Sequence, residues 1–301
     1  PFGLAGPHPK QTVVGAYRLG EKMAESGAVL VYKAVDTRIG RTAALAFVHP
    51  DLTRDPAARS SFIRDARLAS SLASPNICKI FGIDETGDGG LYLATAYEEG
   101  ETLASRAARG PLGLDEAVGI AAQIAQGLSK AHARGLVHRG IEQASIFIAR
   151  DGAAKIRDFA LARLAADSRR ARGAPPSEAT RYLSLEQERG DEPDERDDIW
   201  SLGAVLREMV EGGPFHPGTG SPAPRMGARG ESLSTGRPGI PPELERILAR
   251  ALRENPAERY QNAEDLMLDL KRLAKSLDPR SAGSGAREGS PPAGGRRRRA
   301  L

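Results

Sequence analysis

Cysteine is almost missing from these 301 residues: Cys78 stands alone. One thiol cannot close an internal disulfide, nor can it furnish a cysteine-rich zinc site. Its surroundings, NICKIFGI, are apolar, so it reads as a small buried hydrophobe rather than a nucleophile. Aromatic residues are scarce at 5%, so the core has to be built mainly from Ala, Leu, Ile and Val. No run of 18 apolar residues occurs, which excludes a membrane-spanning helix within these residues. The first residues show no signal-peptide pattern, and a start at Pro1 rather than Met reads as that of a fragment. A sustained charge of one sign is missing as well. Of the net +4, Pro279 to Leu301 carries +5 (six arginines against Glu288), which leaves −1 for the rest. A near-neutral body leaves no electrostatic footprint for nucleic acid, so no nucleic-acid partner is expected. The expected setting is reducing and cytoplasmic.

What is present divides the chain in two. Residues 1–16, rich in proline and glycine, read as a linker. From Tyr17 to Tyr97 come short apolar runs with β-branched content: AVLVYKAV ending at Val35, Thr42–Val48, Ile77–Asp84 and Leu91–Tyr97. Turn signals such as Asp88-Gly89-Gly90 separate them, so they read as strands. One helical stretch, Asp55–Leu72, is inserted, with Phe62, Ala66 and Ala69 on one face. From residue 98 helices dominate. Asp115–Arg134 has Val118, Ala121, Ala122, Ala125 and Leu128 at helical spacing, and Gly135 follows as a stop. A hairpin is expected around Asp151-Gly152, and further helices over Asp198–Glu211, around Leu244–Leu252 and over Ala263–Leu277. Gly212–Gly239 reads as an insertion rich in Gly, Pro and Ser. The expected fold class is α+β, with a β-rich lobe over 17–97, a helical lobe over 98–277 and a basic tail over 278–301.

Several motifs then occur in a fixed order. Leu136–Arg163 reads LVHRGIEQASIFIARDGAAKIRDFALAR. It resembles the H-R-D-L-K-P-x-N loop and the D-F-G of protein kinases, in the same order and at the same spacing. Together with V-Y-K-A at Val31–Ala34, SLEQ around Glu186, DDIWSLG from Asp197 and NPAERY around Arg259, the chain resembles the bacterial eukaryotic-like (Hanks-type) serine/threonine protein kinases over Tyr17–Leu277. The resemblance implies a two-lobed kinase fold with an ATP cleft between the lobes.

The residues that would carry the reaction depart from that pattern. The catalytic-base aspartate aligns with Gly140, the phosphate-contacting lysine of the same loop with Glu142, and the metal-binding asparagine with Ser145. The strand lysine that meets the α- and β-phosphates aligns with Ala46, and its glutamate partner with Asp65, which is expected to be an ordinary exposed acid. The three glycines of the phosphate loop align with Ala24, Ser26 and Val29, Gly27 remaining between them. Side chains there obstruct the close backbone approach that glycine permits. Asp158 keeps the place of the main metal ligand, as a weak site on its own, while Ala160 replaces the glycine after it. His138 and Arg139 are retained, His138 as a packed structural residue. The bracing residues are also retained: Glu186 with Arg259, and Asp198 beneath the catalytic-loop backbone.

The adenine side is less altered. Val31, Ala44 and Phe147 align with the residues that sandwich the base, Thr95 with the gate to the pocket, and Ala96-Tyr97 with the hinge. Phe147 stands where a smaller aliphatic is usual and is expected to fill part of that pocket, or to be an ordinary core residue. Ala69, Ile80, His138 and Phe159 align with a second internal stack.

The expectation is a pseudokinase acting as a signalling scaffold or allosteric module, with no cofactor and with a protein partner, either an active kinase or its substrate. The alternatives are a divergent active kinase using ATP and Mg²⁺, with Lys33 or Asp51 as substitutes, and a non-catalytic nucleotide sensor. Ser168, Ser177 and Thr180 beside Arg169, Arg170 and Arg172 offer sites for modification by a partner. The run Arg296–Arg299 reads as a solvated tail, as a basic segment on the cytoplasmic side of a following membrane helix, or as a nucleic-acid patch.

Overall fold

The computed structural model describes residues 13–26, 28–165, 181–213 and 239–278. Ser168, Ser177, Thr180, the arginines among them, Gly27, most of the 212–239 insertion and the basic tail lie outside the described residues.

The first lobe is a six-stranded antiparallel sheet in the order β1-β2-β3-β4-β6-β5. Its strands are β1 (Val13–Val14), β2 (Tyr17–Glu25), β3 (Val29–Asp36), β4 (Arg41–Val48), β5 (Ile80–Glu85) and β6 (Leu91–Ala96). Val13 and Val14 pair with Arg18 and Tyr17, so the sheet begins inside the expected linker. The run from Ile77 becomes strand only at Ile80, because Ile77 instead bridges to Ile156 in the other lobe.

Alternation along the strands sorts side chains onto two faces. Leu30, Tyr32, Ala43, Leu45, Phe47, Tyr92 and Ala94 make one buried cluster on the outer face. Two of its aromatic pairs meet edge-on, Tyr17 with Tyr92 at 6.4 Å and Tyr32 with Phe47 at 6.0 Å. Val31, Ala46, Val48, Leu91 and Leu93 face the other way, into the main core. Helix α1 (Pro56–Ser70) covers that face. Asp55 caps it by accepting from the Ala58 amide at 2.9 Å, with Pro56 at the first position where no amide hydrogen is needed.

The second lobe is built on α3 (Leu114–His132) and α5 (Glu195–Glu211), with α6 (Pro242–Ala251) and α7 (Ala263–Leu277) packed around them. Ala121, Ala125 and Leu128 of α3 are fully buried, and so are Ile199, Val205 and Met209 of α5. Three short pieces were not expected from periodicity: β7 (Gly100–Thr102), α2 (Leu103–Ala107) and α4 (Leu185–Arg189). Strand β7 joins β8 (Ile146–Ala149) and β9 (Ala154–Ile156) in a small sheet. That sheet and the loop before β8 floor the cleft between the lobes.

Candidate active site

The cleft is lined from above by Met23, Val31, Ala44 and Ala46, and from below by Phe147, Asp158, Phe159 and Leu161. Thr95, Ala96, Tyr97 and Glu98 close its back. It encloses only about 80 Å³, against about 570 Å³ for a second cavity beneath the helical lobe's loop.

The loop over the cleft is a tight turn. Ser26 Oγ accepts from the amides of Ala28 and Val29, both at 3.2 Å, while the Ser26 amide donates to the Val29 carbonyl at 2.8 Å. Amides that would face a phosphate from a glycine loop are thus used inside the loop. Ala24 continues the β2–β3 ladder opposite Val31.

On β4, Ala46 sits between Val31 and Leu93 and offers the cleft a methyl group. Lys33 does not replace the absent lysine: its Nζ lies over the Tyr97 ring at 4.4 Å and 3.9 Å from Glu21. Asp51 is in a turn outside the cleft, paired with Arg54. Cys78 borders the cleft, and burial, reinforced by the charge of Glu98, pushes its thiol up to about 12, which keeps it protonated and inert.

Asp65 is the clear correction to the sequence reading. It is 7% exposed and makes an ion pair with Arg163, Oδ2 to Nη1 at 3.0 Å. With Phe62, Ala66 and Ala69 it occupies the i, i+3, i+4, i+7 face of α1, a spacing that already marked it as inward. The missing information was its partner, 98 residues downstream.

The loop from His138 is anchored by Asp198, fully buried on α5. One Asp198 oxygen accepts from the Arg139 amide, the other from the His138 amide, both at 2.8 Å. His132 Nε2 lies 2.9 Å from the same carboxylate. Burial acts to raise the Asp198 carboxyl, but the hydrogen bond and charge of His132, with His138 behind it, win and hold it below the usual aspartate range. His138 Nε2 meets the Arg157 carbonyl at 2.8 Å and so carries the proton, and its ring stands edge-on to Phe159 at 4.7 Å.

Gly140 presents no acid or base. Ser145 is 4% exposed, and its hydroxyl is engaged on both sides by Glu142: it accepts from that residue's amide and donates to its carbonyl, each at 2.9 Å. Glu142 is not at the cleft, where the spacing had put it. It borders the second cavity with Gln143, Arg181, Tyr182 and Glu208. Sequence order places a residue on the loop but not the direction its side chain takes.

Asp158 does line the cleft, and among the described residues no cation pairs with it. No cluster of three or more His, Cys, Asp or Glu able to hold a metal occurs among the described residues. Among the described residues the site therefore does not fit a magnesium–triphosphate: of the aligned metal ligands only the Asp158 carboxylate remains, the hydroxyl of Ser145 is committed elsewhere, and no lysine lines the cleft. Outside the cleft, Arg259 makes a bidentate pair with Glu186 at 2.7 and 2.8 Å.

Residues 17–269 match the family described as protein kinase domain. Among curated relatives, the serine/threonine-protein kinase PknB of Mycobacterium leprae is 35% identical over 272 residues, 87% of this chain and 44% of that protein. The probable serine/threonine-protein kinase SCO3848 of Streptomyces coelicolor is 32% identical over 293 residues, 93% of this chain and 43% of that protein. The chain thus spans less than half the length of these relatives. Among solved structures, the Mycobacterium tuberculosis PknI kinase domain superposes with a TM-score of 0.72 at 24% identity, covering 88% of this chain and 99% of that one. That likeness speaks for the fold.

Proposed function

The chain belongs to the protein kinase domain family, with serine/threonine kinases as its relatives, and we propose that it is a pseudokinase: a kinase-fold module that acts by binding a protein partner rather than by moving phosphate. One observation carries the reading. Asp158 apart, the positions aligned with triphosphate contacts hold either a bare carbon, as at Ala46 and Gly140, or a polar group already satisfied within the chain, as at Ser26 and Ser145.

Magnitudes favour it. A cation about 4 Å from a phosphate is worth about 4 kcal/mol at a near-surface dielectric. Losing one at Ala46 removes roughly half of the about 8 kcal/mol that micromolar binding represents. Without a base at position 140, the chemical step loses a further factor of about 10² to 10⁴. The bracing pairs, Asp198 to the loop backbone and Glu186 to Arg259, keep the helical lobe in shape for a protein partner, an active kinase or its substrate, to recognise.

Thermal-shift titration with ATP, with and without Mg²⁺ or Mn²⁺, tests this. No shift is expected under any condition. A metal-independent shift would point to a nucleotide sensor. A metal-dependent shift, with γ-phosphate incorporated into a generic protein substrate and lost in Asp158→Asn, would overturn the reading.

A further inference from the structure

We infer that the cleft is a binding site for a small carboxylate, with the Arg157 guanidinium taking the acid group and the apolar walls holding a body no larger than a single ring.

Arg157 follows β9, and its main chain is fixed by the loop from His138 to Ser145. Its amide donates to the Ser145 carbonyl at 2.8 Å, and its carbonyl accepts from His138 Nε2 at 2.8 Å. The side chain is left to line the cleft, where the guanidinium carbon lies 5.7 Å from the centre of the Phe147 ring. Two acids share these walls, and neither neutralises it. Glu98 is taken by Lys155, Oε1 to Nζ at 2.6 Å. Asp158 is exposed, and among the described residues no cation pairs with it. Arg157 is thus a partly buried cation with no acid partner among the described residues. Cys78 adds no negative charge, because burial pushes its thiol up to about 12.

A guanidinium offers a planar fork of donors that matches the two oxygens of a carboxylate. Partly withdrawn from water, it attracts an anion more strongly than a fully solvated lysine does. The rest of the lining suits an uncharged body: Val31, Ala44, Ala46, Ile80, Leu93 and Phe159 are all apolar. Size sets the other limit. The space enclosed is about 80 Å³, whereas an apolar cavity of about 150 Å³ is filled by one benzene ring. A ring can enter only with its acid-bearing edge left at the mouth, where Arg157 keeps part of its surface in water. A nucleoside is excluded. The fit is therefore a compact acid with one charged end and one apolar end.

This rests on the pseudokinase reading, in which no triphosphate occupies the cleft, but its test needs neither nucleotide nor metal. Benzoate is titrated into the whole chain and followed by calorimetry and thermal shift. It should bind saturably and raise the melting temperature. Benzamide, the uncharged isostere, should bind about tenfold more weakly or worse. 2-Naphthoate should not bind the parent and should bind Phe147→Val, whose floor is lower. Arg157→Gln should weaken benzoate about tenfold or more, and Arg157→Lys should recover part of the loss. Asp158→Asn should tighten benzoate, because it removes a like charge from the same walls. No benzoate binding, equal binding of benzoate and benzamide, benzoate bound undiminished by Arg157→Gln, or benzoate weakened by Asp158→Asn would each overturn the inference. Should Arg157→Gln fail to fold, the benzoate–benzamide difference and Asp158→Asn decide alone. Phosphate incorporation by the parent would sink the pseudokinase reading whatever benzoate does, and a failure of benzoate to bind would leave that reading standing.

Discussion

Ala160 holds φ at 69°, a conformation that costs an L-residue roughly 1–2 kcal/mol and glycine almost nothing. Ala160→Gly, which recreates a kinase-type sequence, is therefore expected to raise stability by about 0.5–1 kcal/mol once glycine's larger unfolded-state entropy is subtracted. Thermal melts check this, and the variant should still show no ATP-dependent shift. Asp198 gives a pH prediction. Its folded pKa is lowered, so its contribution to stability is complete above the unfolded value of about 3.9 and is lost as pH falls through the lower folded value. Asp198→Asn should melt earlier than the parent at neutral pH and lose less stability below about pH 4. Asp197 opposes part of the parent's acid loss, because burial pushes its carboxyl up despite the hydrogen bond from Ser184. At this scale the sequence shows which groups are missing. It shows poorly what replaced them: Ser145 reads as a weak metal ligand, whereas its hydroxyl belongs to Glu142's backbone.

Among elements, α4 illustrates how a five-residue helix is held without periodicity. Ser184 and Gln187 cap each other, with the Gln187 amide donating to Ser184 Oγ at 3.2 Å and the Ser184 amide to Gln187 Oε1 at 3.1 Å. Glu186 then ties α4 to Arg259, whose Nε and Nη2 also donate to the Arg253 and Glu254 carbonyls at 2.7 and 3.1 Å. Arg259 is 1% exposed, so its charge has no water to fall back on. Glu186→Ala should cost about 3 kcal/mol, the low end for breaking a buried pair, because Glu186 itself is partly exposed. Denaturant unfolding measures it, and Glu243→Ala, which breaks the solvated pair with Arg246, should leave the midpoint nearly unchanged. The long helices were legible because burial imposes a 3.6-residue period on enough positions, as Leu244, Ile247, Leu248 and Ala251 do on α6. Strand β7, α2 and α4 are too short for any period. Their signals are caps, S-x-x-Q for α4 and Thr102 accepting from the Ser105 amide at 3.1 Å for α2.

In the whole molecule the two lobes share one continuous core, from Val31 and Ala46 through Phe159 and Leu161 to the buried face of α5. The two-lobed α+β architecture was legible because six motifs, from V-Y-K-A to NPAERY, appear in one order. The partner of Asp65 and the direction of Glu142 were not, because each depends on residues remote in sequence. The cleft within that core differs at its two ends. On the reading proposed above, its phosphate end is short of donors and its adenine end is short of room, with Phe147 in the floor and about 80 Å³ enclosed. The two deficits are physically independent, so they separate by substitution. Phe147→Val removes a ring that lines the cleft and is partly buried, which should cost about 1–2 kcal/mol, less than a fully buried aromatic. The space released lies between Val31, Ala44 and Thr95, walls suited to a flat, uncharged heterocycle. Adenosine is therefore expected to raise the melting temperature of Phe147→Val and not of the parent. ATP with Mg²⁺ should shift neither, because Ala46 and the closed Ser26 turn still offer the triphosphate no partner. Calorimetric titration of both ligands into both proteins checks it. An ATP·Mg²⁺ response in Phe147→Val would mean that the ring alone keeps the nucleotide out and that the phosphate end is still competent.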